Sequence, residues 1–314
     1  MTIMSELESF FTDPLMQRAL IAAIIVGLVA PVMGTYLVQR KLSLLGDGIG
    51  HVALTGVALG WVVGGAMGFV EQDALAIPGA VIAAIAGAVA IELVRERGKT
   101  SGDVALAMLF YSGIAGGVVL IGLAGGTNAN LMAYLFGSIS TVTQLDLVLI
   151  AILGIIILAV GVGMRSLFFA ISNDEEFARA SGLPVRAANI TIAVVAALTV
   201  TVSMRVVGLL LVSAIMILPV AVAQLTTASF KTTMRVAMAV GVTVTVSGLM
   251  VTYWIPLSPG ATIVILAVVA YVLVSLARVL FVSSRNRHAD PHPDVPDDVT
   301  YESAPAKDVA SCNE

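Results

Sequence analysis

The sequence predicts an all-α polytopic membrane protein with about eight or nine transmembrane helices, each roughly one bilayer long. Three observations carry this. The 314-residue chain is 59% hydrophobic and only 11% charged, against roughly 25% charged residues in soluble domains. Its mean hydropathy is +1.02. Its apolar runs last a full helical span of about 20 residues. A soluble domain needs more charge to cover its surface, and a disordered chain far less apolar content. A β-barrel would alternate polar and apolar residues in strands of about 10, which these runs do not. The 29 glycines and the 6% aromatic content suit helices packed closely through small side chains.

Nine segments qualify as spans: 18–38, 46–67, 77–94, 104–124, 144–164, 188–204, 206–226, 236–254 and 260–282. Only Ser203, Met204 and Arg205 divide the sixth from the seventh, so one bent hairpin, and eight spans, is the alternative. Residues 1–14 form a short acidic segment without the pattern of a cleaved leader. Residues 15–283 make the membrane domain. From 284 to 314 the composition turns acidic and proline-rich (Pro291, Pro293, Pro296, Pro305), which predicts a disordered tail. His288 and His292 lie in it, and a solvated tail is favoured over a metal sensor there. The one cysteine, Cys312, allows neither an intrachain disulfide nor a thiolate metal site.

Charge placement orients the spans. Of the 16 basic residues, all but Arg18 and Arg205 fall on one side if nine helices alternate. They cluster at Arg40–Lys41, Arg95–Lys99, Arg165–Arg186, Lys231–Arg235 and from Arg278 onward. Short cytoplasmic loops carry the basic excess, so the N-terminus is expected outside and the C-terminus in the cytoplasm. No basic patch with interleaved aromatics is present, which argues against a nucleic-acid partner. A loose repeat relates the stretches around Pro31 and Pro219, each followed by a basic residue some three turns later.

Ionisable residues within spans are costly and mark function. Asp47 and His51 stand four apart in SLLGDGIGHVALTG, on one face of a helix. One carboxylate and one imidazole form a donor set for a divalent transition metal, Zn²⁺ or Mn²⁺ rather than Mg²⁺ or Ca²⁺. Incomplete coordination suits an ion that must leave again. Gly46, Gly48 and Gly50 are expected to loosen the segment and carry the pair deeper than its six-residue distance from Lys41 would otherwise allow. The plainer reading makes Asp47 the cap of a helix beginning at Gly48. Asp103 and Asp146 read as caps of their own spans, and Glu92 as an interfacial residue.

The internal loop RSLFFAISNDEEFARASGLPVRAANI carries a further signal. Ser172 and Asn173 open a short helix, and Asp174, Glu175 and Glu176 fill its first turn. Ala178 is small, and Gly182-Leu183-Pro184 ends it. Such a capped element, near 172–184, can pass motion from a soluble partner. Gly98-Lys99-Thr100 is no nucleotide loop. The earlier glycine of that motif is replaced by Leu93, and a membrane helix precedes it. ATP, if it drives the protein, is hydrolysed by another subunit.

Several blocks in order, RKLSLLGDGIGHVALTGVALG, SGDVALAMLFYSG, NLMAYLFGSISTVTQLDL, NDEEFARASGLPV and VVGLLLVSAIMILPVAVAQL, identify a resemblance over residues 15–283. The chain resembles the membrane permease subunit of bacterial metal-ion ATP-binding cassette (ABC) transporters of the zinc/manganese/iron type. Their overall plan is similar to that of the vitamin B12 and siderophore permeases. The resemblance implies a pore of two permeases, a homodimer or a sister pair, in the lipid membrane. It implies two cytoplasmic ATPase subunits and an extracytoplasmic metal-binding protein. It implies metal contact at Asp47 and His51 and a coupling helix at Asp174–Gly182, with Glu175, Glu176 and Ala178 inside it. The family often has Ser where Gly50 stands, so a hydroxyl is missing here and the metal preference is more open. The expected function is alternating-access import of zinc or manganese, with iron as a further cargo, no permanently bound cofactor and no enzymatic activity of this chain. The alternative is an ion-coupled secondary transporter, for which the spans lack the extra carboxylates. An intramembrane enzyme would need a catalytic cluster, and the spans hold one histidine.

Overall fold

A computed structural model describes residues 12–68, 75–96, 102–125, 132, 134–137 and 143–286. Residues 1–11 of the acidic N-terminal segment, Gly98–Thr100 and the tail with His288 and His292 lie outside the described residues, as does the side chain of Asp103 with its expected capping role. Among the described residues eleven α-helices run in order. They are α1 Pro14–Gln39, α2 Leu45–Ala66, α3 Ala76–Glu96, α4 Gly102–Leu123, α5 Gln144–Gly163, α6 Arg165–Asn173, α7 Glu175–Ala180, α8 Val185–Val207, α9 Val212–Thr226, α10 Phe230–Trp254 and α11 Pro259–Asn286. Among the described residues nine helices are long and apolar enough to cross a membrane, α6 and α7 being the short ones. The described residues divide into two units, one to Ser275 and one from Leu276, the latter holding the last turns of α11.

Within the first unit, α1 and α8 are the most deeply buried spans. Helix α1 packs against α5, α8, α9 and α10, and α2 packs against α3 and α4. Helix α8 touches members of both groups. Small residues permit the closest crossings. A Cβ on Gly34 of α1 would fall on the carbonyl oxygen of Met216 in α9, and one on Gly241 of α10 on the carbonyl of Gly27. That Gly27 carbonyl is the one Pro31 deprives of its helical donor, and the crossing of α10 covers it. Pro31 and Pro219 both lie inside helices, α1 and α9, that pack on each other.

The sixth and seventh spans are separate, and their break is not where the sequence placed it. Helix α8 runs through Ser203, Met204 and Arg205 and ends at Gly208, whose φ of +90° is open to glycine. A 3₁₀ turn, Leu209–Leu211, then leads into α9. A hydrophobic run shows no break because the left-handed residue is itself small and apolar.

Candidate metal path and docking face

Helix α2 begins at Leu45 and continues unbroken to Ala66. The glycines around Asp47 therefore do not interrupt it. They are contact points instead: a Cβ on Gly46 would meet Ser213 Oγ, one on Gly48 would meet Leu106, and one on Gly50 would meet Leu209. Packing against α4 and α9 holds the helix regular where glycine propensity alone would loosen it. Asp47 stays in the first turn, and the expectation of a deeper, broken entry is corrected. The cap at Leu44 has no side-chain hydrogen bond, so Asp47 is not the capping residue either.

The i, i+4 spacing in a regular helix does put Asp47 and His51 on one face. Asp47 is half-buried and borders a cavity of about 380 Å³ lined by Leu44, Leu106, Ala107, Phe110 and Tyr111. His51 is only 6% exposed. Its ring meets Phe110 edge-on at 4.3 Å between centroids, and its Nδ1 has no hydrogen-bond partner. A buried imidazole nitrogen without a partner is uncommon, because desolvation is then uncompensated. Here it leaves a lone pair or N–H free for another group. Tyr111, on the rim, is exposed. Among the described residues no third His, Cys, Asp or Glu joins the pair in a metal-sized group.

At the end of the bundle that carries the basic clusters, α7 is shorter than the sequence suggested. Ser172 and Asn173 close α6, and Asp174 caps α7 by accepting from the N–H of Phe177 at 2.9 Å. The apolar side of LFFAI makes α6 a helix of its own, which an acidic cluster read as a start obscured. Gly182 has φ +77° and terminates the element. Ala178 is buried, Glu176 exposed, and Phe177 is 70% exposed. A phenylalanine displayed to this degree on a capped helix is the strongest contact feature of the loop, and the sequence reading passed over it. Its signal was an aromatic set among charges.

Glu175, half-exposed, bridges two arginines. Its Oε2 accepts from Arg40 at 3.3 Å and its Oε1 from Arg179 at 3.1 Å. Nearby, Arg186 pairs with Glu96 at 3.1 Å and Arg95 with Glu92 at 3.0 Å. Glu92 is buried rather than interfacial, since the guanidinium of Arg95 and the packing of α3 enclose it. Burial pulls the Arg40 guanidinium below its ordinary value. Glu92 and Glu175 oppose that shift and Arg95 adds to it, and the group stays charged at neutral pH.

The opposite end explains the odd basic residue. Arg205, 8% exposed, donates to Asp146 Oδ2 at 2.7 Å and to the Tyr134 hydroxyl at 3.1 Å. The cap of α5 is Thr143 rather than Asp146, which stands in the first turn and completes a capping box with it, both hydrogen bonds being present. The Asp146 carboxylate thus serves capping box and counter-ion together. The sequence signal for this pair was its double exception, a lone basic residue and an acid on the arginine-free side.

A family model described as the ABC 3 transport family matches residues 12–278. The manganese transport system membrane protein MntC of Halalkalibacterium halodurans is 30% identical, over 86% of this chain and 91% of that one. A probable iron transport system membrane protein of Haemophilus influenzae is 30% identical over 82% and 92%. Among solved structures, PsaBC from Streptococcus pneumoniae in complex with Fab superposes with a TM-score of 0.76 at 29% identity. It covers 87% of this chain and 95% of that one.

Proposed function

This chain belongs to the ABC 3 transport family, and we propose that its cargo is a divalent first-row transition metal, manganese foremost, handed along by Asp47 and His51. The chain is the multi-pass membrane permease subunit of an ABC importer. ATP hydrolysis belongs to a separate subunit, and the chain itself is not an enzyme. Family membership does not favour the ion-coupled secondary transporter.

The observation that carries the cargo reading is a half-buried carboxylate on one helix face with a buried imidazole whose Nδ1 lacks a partner, the carboxylate bordering a cavity. Oxygen plus nitrogen is a borderline set that accepts manganese, ferrous iron and zinc. The relatives named for manganese and iron support the order manganese, iron, zinc. Two donors hold an ion weakly, as passage requires. The cavity opens past exposed Tyr111, a face that a second permease, identical or a sister chain, would close to bring further donors to the ion.

The same reading supplies the partners. Phe177, exposed on α7 beside Glu176, is the anchor for a cytoplasmic ATPase subunit, with α7 as the coupling helix between Asp174 and Gly182. An extracytoplasmic metal-binding protein delivers the ion at the opposite end. The membrane is the bacterial cytoplasmic membrane, with the N-terminus outside and the tail inside, which the basic clusters support. In cells deleted for this chain, the wild-type protein is expected to restore manganese content and to co-purify the ATPase subunit. Phe177→Asp, by charging an apolar anchor, is expected to do neither while reaching the membrane at normal level. Retained co-purification and manganese content in Phe177→Asp would remove α7 as the docking helix.

A further inference from the structure

The last turn of α1 fastens both short helices. Tyr36 donates its hydroxyl to the Gly161 carbonyl at 2.5 Å and meets the ring of Phe168, in α6, edge-on at 5.4 Å. Phe168 is fully buried. One turn later Arg40, itself enclosed, holds Glu175 in the first turn of α7. A surface ion pair would contribute little, but the Arg40 side chain is 6% exposed, so its charge must be compensated where it lies.

From Arg40 the chain reaches Asp47 in seven residues, through a turn tied at both ends by backbone hydrogen bonds. The N–H of Arg40 bonds to the Tyr36 carbonyl, that of Lys41 to Val38 and that of Leu42 to Leu37 at 2.8 Å. Lys41 takes a left-handed conformation, φ +57°, which turns the chain sharply. The N–H of Leu45 then bonds to Leu42 and that of Gly48 to Leu44, so the turn passes directly into the first coil of α2. These bonds join the end of α1 to the start of α2 across the turn.

We propose that Arg40 is a positioning residue for transport, tying α7 through Glu175 to the α1–α2 turn so that movement of α7 is delivered to Asp47. This rests on the docking and cargo roles proposed above for α7 and Asp47. The route is short: ATPase subunit, α7, Glu175, Arg40, the turn, Asp47. It requires no rearrangement of the buried spans to reach the ion. Glu175 holds Arg179 with its other oxygen, which keeps the carboxylate oriented toward Arg40 while α7 carries its load.

The test is a double-mutant cycle in the complete transporter, reconstituted with its ATPase subunits and supplied with manganese by the binding protein. Arg40→Gln and Glu175→Gln are each expected to keep the ATPase subunit bound. Each is expected to lower manganese moved per ATP hydrolysed by about tenfold, a usual size for coupling between sites. The double variant should be no worse than either single, since one link is broken once. Arg40→Lys, which keeps the charge but not the forked geometry, should recover part of the ratio. A merely structural role would lower protein level or ATPase binding and leave the ratio alone. A wild-type ratio in Arg40→Gln, losses that multiply in the double variant, or release of the ATPase subunit by Arg40→Gln would each overturn the positioning role. Failure of the docking reading is seen separately, as a Phe177→Asp variant that keeps both ATPase and transport.

Discussion

Asp47→Ala and His51→Ala are each expected to cut manganese uptake by on the order of tenfold or more, as losses around a metal site commonly do. Protein level and ATPase co-purification should hold. The variants should fold because neither side chain carries the fold. Asp47 caps nothing: α2 starts at Leu45 without a side-chain cap. His51→Ala gives up the edge-on contact with Phe110, worth about 1 kcal/mol, leaves the space of a buried ring, and removes a nitrogen that already lacked a partner. Asp47→Asn separates charge from shape: it keeps a carbonyl oxygen that manganese accepts but loses the negative charge, and should fall between the wild type and Asp47→Ala. Initial rates of radiolabelled manganese entry measure the effect. Wild-type rates in both alanine variants would remove the proposed path.

The largest effect on stability is expected at Asp146. Asp146→Ala leaves the Arg205 charge buried without its carboxylate, at a cost of about 3–5 kcal/mol. It also removes one of the two capping-box hydrogen bonds of α5, the one the Thr143 N–H donates to the carboxylate, while the bond from the residue-146 N–H to the Thr143 hydroxyl stays. Adding Arg205→Met removes the stranded charge, and the double variant should recover most of the first loss, since apolar replacements of a buried pair are often near neutral. Asp146→Asn keeps a capping acceptor and should fall between. Thermal unfolding of the purified protein reads all of these. If Asp146→Ala melts with the wild type, the pair contributes nothing to the fold.

The fold was legible because membrane spans are written in long apolar runs, and backbone satisfaction in lipid admits few alternatives to a helix. The ends were less so. Arg205 looked like a boundary because it is charged, yet Asp146 lets α8 continue past it and the turn falls at Gly208. Such a pairing joins residues 59 apart, and no local pattern encodes it. The glycines flanking Asp47 misled in the same way. Glycine in isolation weakens a helix, but Leu106, Leu209 and Ser213 stand where their side chains would be, and close packing prevails over propensity. The pair Asp47 and His51 was readable from spacing, because i, i+4 is a property of the helix itself. Glu175 was readable only as an acid in a first turn, and its bond to Arg40 makes it an internal link, leaving Phe177 as the group turned outward.

The most direct measurement is pulsed electron paramagnetic resonance of manganese(II) loaded into the assembled transporter. A nitrogen-14 coupling from imidazole is predicted in the wild type and its loss in His51→Ala, with Asp47→Asn weakening the bound signal. The same nitrogen coupling in wild type and His51→Ala, or none in either, would contradict the claim that His51 and Asp47 carry the ion.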